Sequence, residues 1–502
     1  MLNSRSLLIC LLAALPSLVG DARADDWTTV GSDAQRSSWV RASQKTSPTT
    51  VSDPDFRFLW KLEVANESRS GYALTAPALL DFLISHRGFR SLAFVGGSSG
   101  GVFAIDTDLA RMEWERRFLP GPSMSSPECP GGMTANLTRP TAAAMPSPLG
   151  FTARGRRAPA SSGVGPPGEG AVTLQTAINR PAQPRGGRNR SARVRPPAQR
   201  SLRGVTLVYA LSADGMLHTL YVSNGRDRVP PIPFLPANAN ARGLIVVDDV
   251  AYVSTRGGCG GAADGVWSLA LESGEVATWE SDGGAVTGSG GVAFDPDGTV
   301  YAATEDGSLV ALKARSLELL AASEPVGFRS SPLVFDYRGT DHIAAIAQDG
   351  SLQVYAASDL GQAVATAPVG ARTGDPEGAL AAWKDASGTH WILVPTAESI
   401  AAWKLTGEGN AMRLAAGWES SRMDSPLPPI IVNGVVFALD GGSASGKAKL
   451  HALEGATGNV LWDSGDSIEA TATGHALSSG PGQVYVTATD SALYAFGFPM
   501  EH

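Results

Sequence analysis

The chain has 502 residues, with 58 Gly, 33 Pro, 18% charged residues and a formal net charge of -8. Turn formers are abundant, whereas helix caps and apolar stripes at helical spacing are scarce, which excludes a mainly helical protein and favours an all-β one. No apolar run reaches the length of a membrane-spanning helix, so no transmembrane segment is expected.

The first 24 residues read as a secretory signal: Arg5, an apolar core over 7–15, and Ala22-Arg23-Ala24 as a small-residue cleavage site before Asp25. The expected location is therefore periplasmic or secreted. Cys10 follows a bulky Ile9 and would cut the apolar core in half, which speaks against a lipid anchor there. After cleavage two cysteines remain, Cys129 and Cys259, a disulfide candidate in an oxidising compartment. Neither lies in a Cys-x-x-Cys pattern, so covalent haem and dithiol chemistry lack support.

Residues 56–64 alternate apolar and polar and read as a lone strand, the last of a repeat whose first part is missing. A full unit follows from Thr75 to a hairpin that opens at Val102 and closes on Trp114. Over 139–203 the composition changes to 12 Arg, 10 Pro, 8 Gly and a single acid, Glu169. That stretch has too little apolar surface to offset its ordering entropy and is expected to be a disordered insertion in the second repeat. Its charge of +11 leaves -19 on the remainder. A basic tether on an acidic body reads either as a solvated loop or as a contact arm for an anionic surface.

From 205 onward one pattern recurs: an apolar strand, a turn that is often Asp-Gly (Asp214-Gly215, Asp264-Gly265, Asp306-Gly307, Asp349-Gly350), and a returning strand. The returning strands open at Val102, Leu217, Val266, Leu309, Leu352, Ile400, Leu450 and Leu493. With the insertion removed, the spacing is 43 to 50 residues, which fits eight four-stranded propeller blades. The chain ends just after the eighth hairpin, so the strand over 56–64 is expected to complete the last blade and close the ring of a single propeller domain, 25–502.

Leu450-His451-Ala452-Leu453, Ala456-Thr457-Gly458 and Trp462 resemble the tryptophan-docking repeat of the pyrroloquinoline-quinone-type propeller family, and Leu493-Tyr494-Ala495-Phe496 matches its opening. The resemblance implies an eight-bladed β-propeller in which Trp60, Trp114, Trp279, Trp418 and Trp462 pack between neighbouring blades. Dehydrogenases of that family carry a vicinal cysteine pair over the quinone and a calcium held by Glu and Asn, with an Asp base nearby. This chain has no adjacent cysteines, which puts quinone chemistry in doubt.

No nucleophile or metal set stands out. His218 and His451 occupy equivalent packing positions, no ligand spacing links the other histidines, and Gly97-Ser98-Ser99-Gly100-Gly101 joins two strands where a nucleophile elbow needs a strand and a helix. The remaining candidate is the propeller mouth, where the starts of the inner strands should converge with Arg242, Arg329, Glu377, Asp424 and His475. The arginines would hold carboxylates, and Glu377 and Asp424 a cation or hydroxyls. The favoured reading is an exported, monomeric binding or scaffolding module with a cell-envelope protein partner. The alternative is a dehydrogenase or sensor using pyrroloquinoline quinone with calcium.

Overall fold

The computed structural model describes residues 27–143 and 206–499, apart from 42, 44, 70–72, 86–87, 119–127, 371–377 and 444–445. The chain divides into a unit of residues 1–146 and 206–502 and a second unit, 147–205. The second unit lies outside the described residues, and with it most of the expected insertion. The first is an eight-bladed β-propeller of antiparallel blades.

Third strands count the blades: Gly101–Asp106, Met216–Tyr221, Gly265–Ala270, Leu309–Leu312, Ser351–Ala356, Ile400–Thr406, Lys449–Glu454 and Ala492–Gly497. Each belongs to a different sheet. Their residues are mostly buried on both faces because each blade is covered by a neighbour on either side. Outer strands such as Arg111–Arg117 and Arg413–Glu419 alternate towards solvent and carry the charge. Two of the four Asp-Gly turns use the left-handed freedom of glycine: φ is +81° at Gly215 and +82° at Gly350, whose amide bonds back to the Ala347 carbonyl at 3.0 Å.

The ring closes with a strand from the opposite end of the chain. Arg57–Glu63 pairs antiparallel with Ala492–Gly497, placing Trp60 opposite Ala495 and Leu62 opposite Leu493. Phe56, just before it, is 1% exposed and packs edge-on against Trp462 of blade seven at 5.0 Å. Closure gives the last blade its fourth strand and covers the edge of Ala492–Gly497.

Residues 27–40 do something the sequence does not signal. They run around the inside of the ring and take one main-chain bond after another from the inner strands. Leu79 of blade one donates to the Trp27 carbonyl, Arg139 beside blade two to Thr28, and Phe294 of blade four to Ala34. Val334 of blade five donates to Gln35, Ala382 of blade six to Ser37, and Ile431 of blade seven to Ser38. Thr29 returns a bond to the Leu244 carbonyl of blade three. Trp39–Val40 then lies parallel to Ile430–Val432. Inner strands have one unpaired edge facing the axis, and the segment satisfies it with backbone rather than water.

The expected insertion boundary at 139 needs correcting. Arg139 is buried with its Nη1 2.7 Å from the Leu79 carbonyl, and Pro140–Thr141 pairs parallel with Val246 and Val247. Ala143 is buried and accepts a bond from Gln35. These residues share the axial lining because the free edge of the inner strand of blade three also needs a partner.

Candidate functional site

The turns between first and second strands define one end of the channel, and the starts of the first strands define the other. Residues 27–40 bond to the inner strands at differing distances from the turns: Ile431 is two residues from Asn433, where blade seven reverses, whereas Leu79 is the second residue of the eight-residue strand Ala78–Ser85. The polar segments expected at the mouth begin further back. In blade one Thr75 precedes Leu79 by four residues, about 13 Å along a strand. The channel is thus lined from within by the chain's own N-terminal segment, which reaches the mouth residues Gly290, Ser331 and His475 through Arg36.

Arg36 anchors that lining. It is 4% exposed, and its guanidinium donates to the carbonyls of Val292 (2.9 Å), Val30 (2.6 Å) and Gly243 (2.9 Å) and to Thr29 Oγ1 (3.0 Å). Burial pulls its pKa down to about 9, against the pull of nearby Asp33, which favours the charged form. Asp33 is held in turn by the Ser37 amide at 2.9 Å and the Ser37 hydroxyl at 2.6 Å. Arg36 therefore locks the loop at Val30 and Gly31 to blades three and four.

Four of the five expected mouth residues lie among the described residues; Glu377 does not. Blades four to six do come together here. The Thr287 hydroxyl donates to the Ser330 carbonyl (2.9 Å), the Gly290 amide to Ser331 Oγ (2.9 Å), and the Ser331 amide to the Gly378 carbonyl (3.0 Å). His475 and Arg36 line one small cavity with Gly290, Ser331 and Leu380. Arg329 lines another, with Thr396 and Pro426. Arg242 and Asp424 line neither. Arg242 is buried with Nε 3.2 Å from Asn240 Oδ1, while Asp424 is exposed.

The arginines are held by protein groups. Arg329 donates through Nη2 to the Gln348 carbonyl and, at 3.1 Å, to Gln348 Oε1. Asn240, which accepts from Arg242, donates to the Glu128 carbonyl at 2.6 Å. The next residue, Cys129, is joined to Cys259 in a disulfide with a Cα separation of 5.5 Å. The amides of Asp424 and Ser425 both bond the Asp440 carboxylate at 2.9 Å. Asn240, Gln348, Asp440 and Arg36 were not singled out from sequence; Arg36 and Asn240 are defined by partners more than a hundred residues away, and Gln348 and Asp440 by partners on another strand or turn.

Four of the five docking tryptophans contact a neighbouring blade, and Trp60 contacts Tyr485 of its own blade. Trp114 Nε1 donates to the Val222 carbonyl of blade two at 2.7 Å, and Trp418 Nε1 to the Gly455 carbonyl of blade seven at 2.8 Å. Each indole lies on the turn glycine of the next blade, Gly225 or Gly458, where an added Cβ would approach to 2.5 Å. Trp462 packs edge-on against Phe496 of blade eight at 5.7 Å, Trp60 lies 6.0 Å from Tyr485, and Trp279 packs against the core shared by blades three and four.

The two mouth cavities measure about 10 and 30 Å³, room for water rather than a ring system. The disulfide partners are 130 residues apart rather than vicinal. Among the described residues no three His, Cys, Asp or Glu side chains gather to hold a cation. No described helix is long and apolar enough to cross a membrane.

Fold and mouth together define an eight-bladed propeller whose channel is lined by its own N-terminal segment. No family model matches the sequence, and no curated protein matches it. Among solved structures the chain is similar to the quinohemoprotein alcohol dehydrogenase from Comamonas testosteroni, at 14% identity and a TM-score of 0.57, covering 96% of this chain and 82% of that one. It is similar to a europium-containing methanol dehydrogenase at 12% identity and a TM-score of 0.56, covering 94% and 98%. BamB from Moraxella catarrhalis is matched at 12% identity and a TM-score of 0.49, covering 88% and 100%. At such identities the likeness establishes the fold alone.

Proposed function

We propose that this chain is an exported propeller that binds a cell-envelope protein across its mouth and carries out no redox chemistry itself. One observation carries the reading: residues 27–40 line the channel, and the cavity that Arg36 shares with Gly290, Ser331 and His475 is water-sized. A ligand of this face must therefore engage its broad rim rather than sink into a pocket, which suits a macromolecule. Asp424, exposed at that rim, is the kind of position a partner would cover, whereas Arg242 and Arg329 shape the surface from beneath.

The test is site-specific photocrosslinking in cells of origin, with the crosslinker at position 424 on the mouth and at position 387 in the turn at the opposite end. A discrete adduct with one envelope protein from 424 and none from 387 is expected. Calorimetry with pyrroloquinoline quinone and calcium should give no heat, and an artificial electron acceptor should stay oxidised. Dye reduction on adding quinone and calcium would overturn the reading in favour of a dehydrogenase.

A further inference from the structure

The outer strands of the blades lie on the circumference of the propeller, each with one edge that no other strand of its sheet covers. Such an edge is a template for a further strand unless something deters pairing. Among the described outer strands the deterrent is a charge or a proline. Charged residues stand in Arg111–Arg117, Val276–Glu280, Arg413–Glu419, Val460–Asp463 and Arg57–Glu63, and a proline in Ile232–Pro233 and Ala365–Pro368. Leu319–Ala322, the outer strand of blade four, has neither. All of its residues are exposed, Leu319 at 52% and Leu320 at 55%.

The strand is bare because blade four lacks a docking tryptophan. A register shift beside Ala104, Ala402 and Ala452 sets Trp114, Trp418 and Trp462 opposite those alanines, and the same shift in blade four sets Ala321 opposite Ala311. Blade five answers from its own side. Four residues past the end of its third strand it carries Leu360, where blades two and seven carry the turn glycines Gly225 and Gly458. Leu360 is 2% exposed and packs in the core that blades four and five share. A leucine from blade five thus fills the joint in place of an indole from blade four, and the outer strand keeps no cover.

Its backbone is open to pairing as well. The Ser323 amide bonds inward to the Leu309 carbonyl at 2.9 Å, and Ala322 stands opposite Val310. Alternate residues of an antiparallel pair turn their N–H and C=O to opposite edges, so Ala322 presents both outward. Acids bound the apolar stretch: Glu318, 66% exposed and 3.4 Å from Lys313, and Glu324, exposed and accepting from Gln362 Nε2 at 2.8 Å. The geometry points to this edge as the docking site for an extended segment of another protein, uncharged at its centre and basic at both ends, added as a further strand of blade four. Lysine or arginine at its ends meets the two carboxylates, and its backbone completes the bonds of Ala322. A second copy of the chain does not suit the edge. Antiparallel self-pairing centred on Ala321 sets Glu318 of each copy against Glu324 of the other, and like charges directly opposite are destabilising. The charge of -19 outside 139–203 adds to that repulsion. The edge lies on the circumference, so this contact is independent of what the mouth binds.

The probe is the capped, fluorophore-labelled peptide Lys-Thr-Val-Ile-Val-Thr-Lys, titrated with the full chain and followed by fluorescence anisotropy, alongside sedimentation of the protein alone. Saturable binding to a protein that sediments as a monomer is expected, about tenfold weaker for Glu-Thr-Val-Ile-Val-Thr-Glu. Ala322→Pro removes only an amide that faces outward and should abolish binding. Leu320→Lys, at an exposed position, should weaken it, which keeps the idea testable if the proline variant does not fold. Absence of binding, equal binding of the two peptides, or binding that survives both substitutions would overturn it. So would a dimer of the protein alone that Ala322→Pro dissolves, because the occupant would then be a second copy.

Discussion

Lys61 and Glu469, 408 positions apart, meet at 2.8 Å where the N-terminal strand completes blade eight. The same ammonium lies 3.0 Å from Glu63 and 3.1 Å from Asp490. The bond to Glu469 contributes most to raising the pKa of Lys61, and the bond from Lys61 is the main influence holding Glu469 below the usual carboxylate range. A carboxylate with a depressed folded pKa adds stability above its unfolded value of 4.5 and loses it as pH falls through the folded one. Lys61→Met should lower the melting temperature slightly at neutral pH. The gap to the parent protein should narrow below about pH 4.5 and with added salt, because Glu469 is solvent-facing and screened. Melting curves across pH 3–7 at two ionic strengths check this; a gap that widens in acid would refute it.

A buried guanidinium with four partners predicts a larger effect. Arg36→Met keeps most of the bulk but strands the carbonyls of Val292, Val30 and Gly243. Such a loss should cost about 3–5 kcal/mol, read as a drop in the urea midpoint at unchanged slope. If the lining also positions the mouth, His475 should become more accessible, which its rate of modification by diethyl pyrocarbonate would report.

These two predictions mark where sequence reading succeeds and where it stops. The closing strand was legible because 56–64 alternates with period two and the final repeat lacked an outer strand. Blade count was legible for the same local reason: a strand, a short turn and a returning strand recur at near-constant spacing. Residues 27–40 have no such period. Their role is to present carbonyls to amides on successive blades, and backbone bonds leave no trace in side-chain identity. Arg242 and Arg329 were found at strand starts, yet their restraint by Asn240 and Gln348 depends on side-chain geometry that spacing does not encode. His218 was legible as a packing position, but its contact with Phe118 depends on how blade one meets blade two.

The docking of Trp418 onto the turn of blade seven gives a prediction about a glycine. At Gly458 φ is +76°, and a Cβ would lie 2.5 Å from the indole. Gly458→Ala should cost about 2–4 kcal/mol, combining left-handed strain with overpacking. The steric share alone should be relieved when Trp418 is also replaced, so the double variant Trp418→Ala, Gly458→Ala should be more stable than the sum of the single losses. Additivity in that cycle would mean the two residues do not touch.

The disulfide sets the last expectation. Cys129 and Cys259 enclose 130 residues of chain, including all of 144–205. On the chain-entropy account, closing so long a loop in the unfolded state stabilises the fold by about 5 kcal/mol. Because that gain depends only on the logarithm of loop length, removing 144–205 should reduce it by less than about 1 kcal/mol. Reduction, or Cys129→Ser with Cys259→Ser, should therefore lower stability by a similar amount with or without the insertion. Chemical denaturation of the four proteins measures this directly. If the disulfide counts for far less once 144–205 is removed, its contribution comes through those residues and not through the loop that links blade one to blade three.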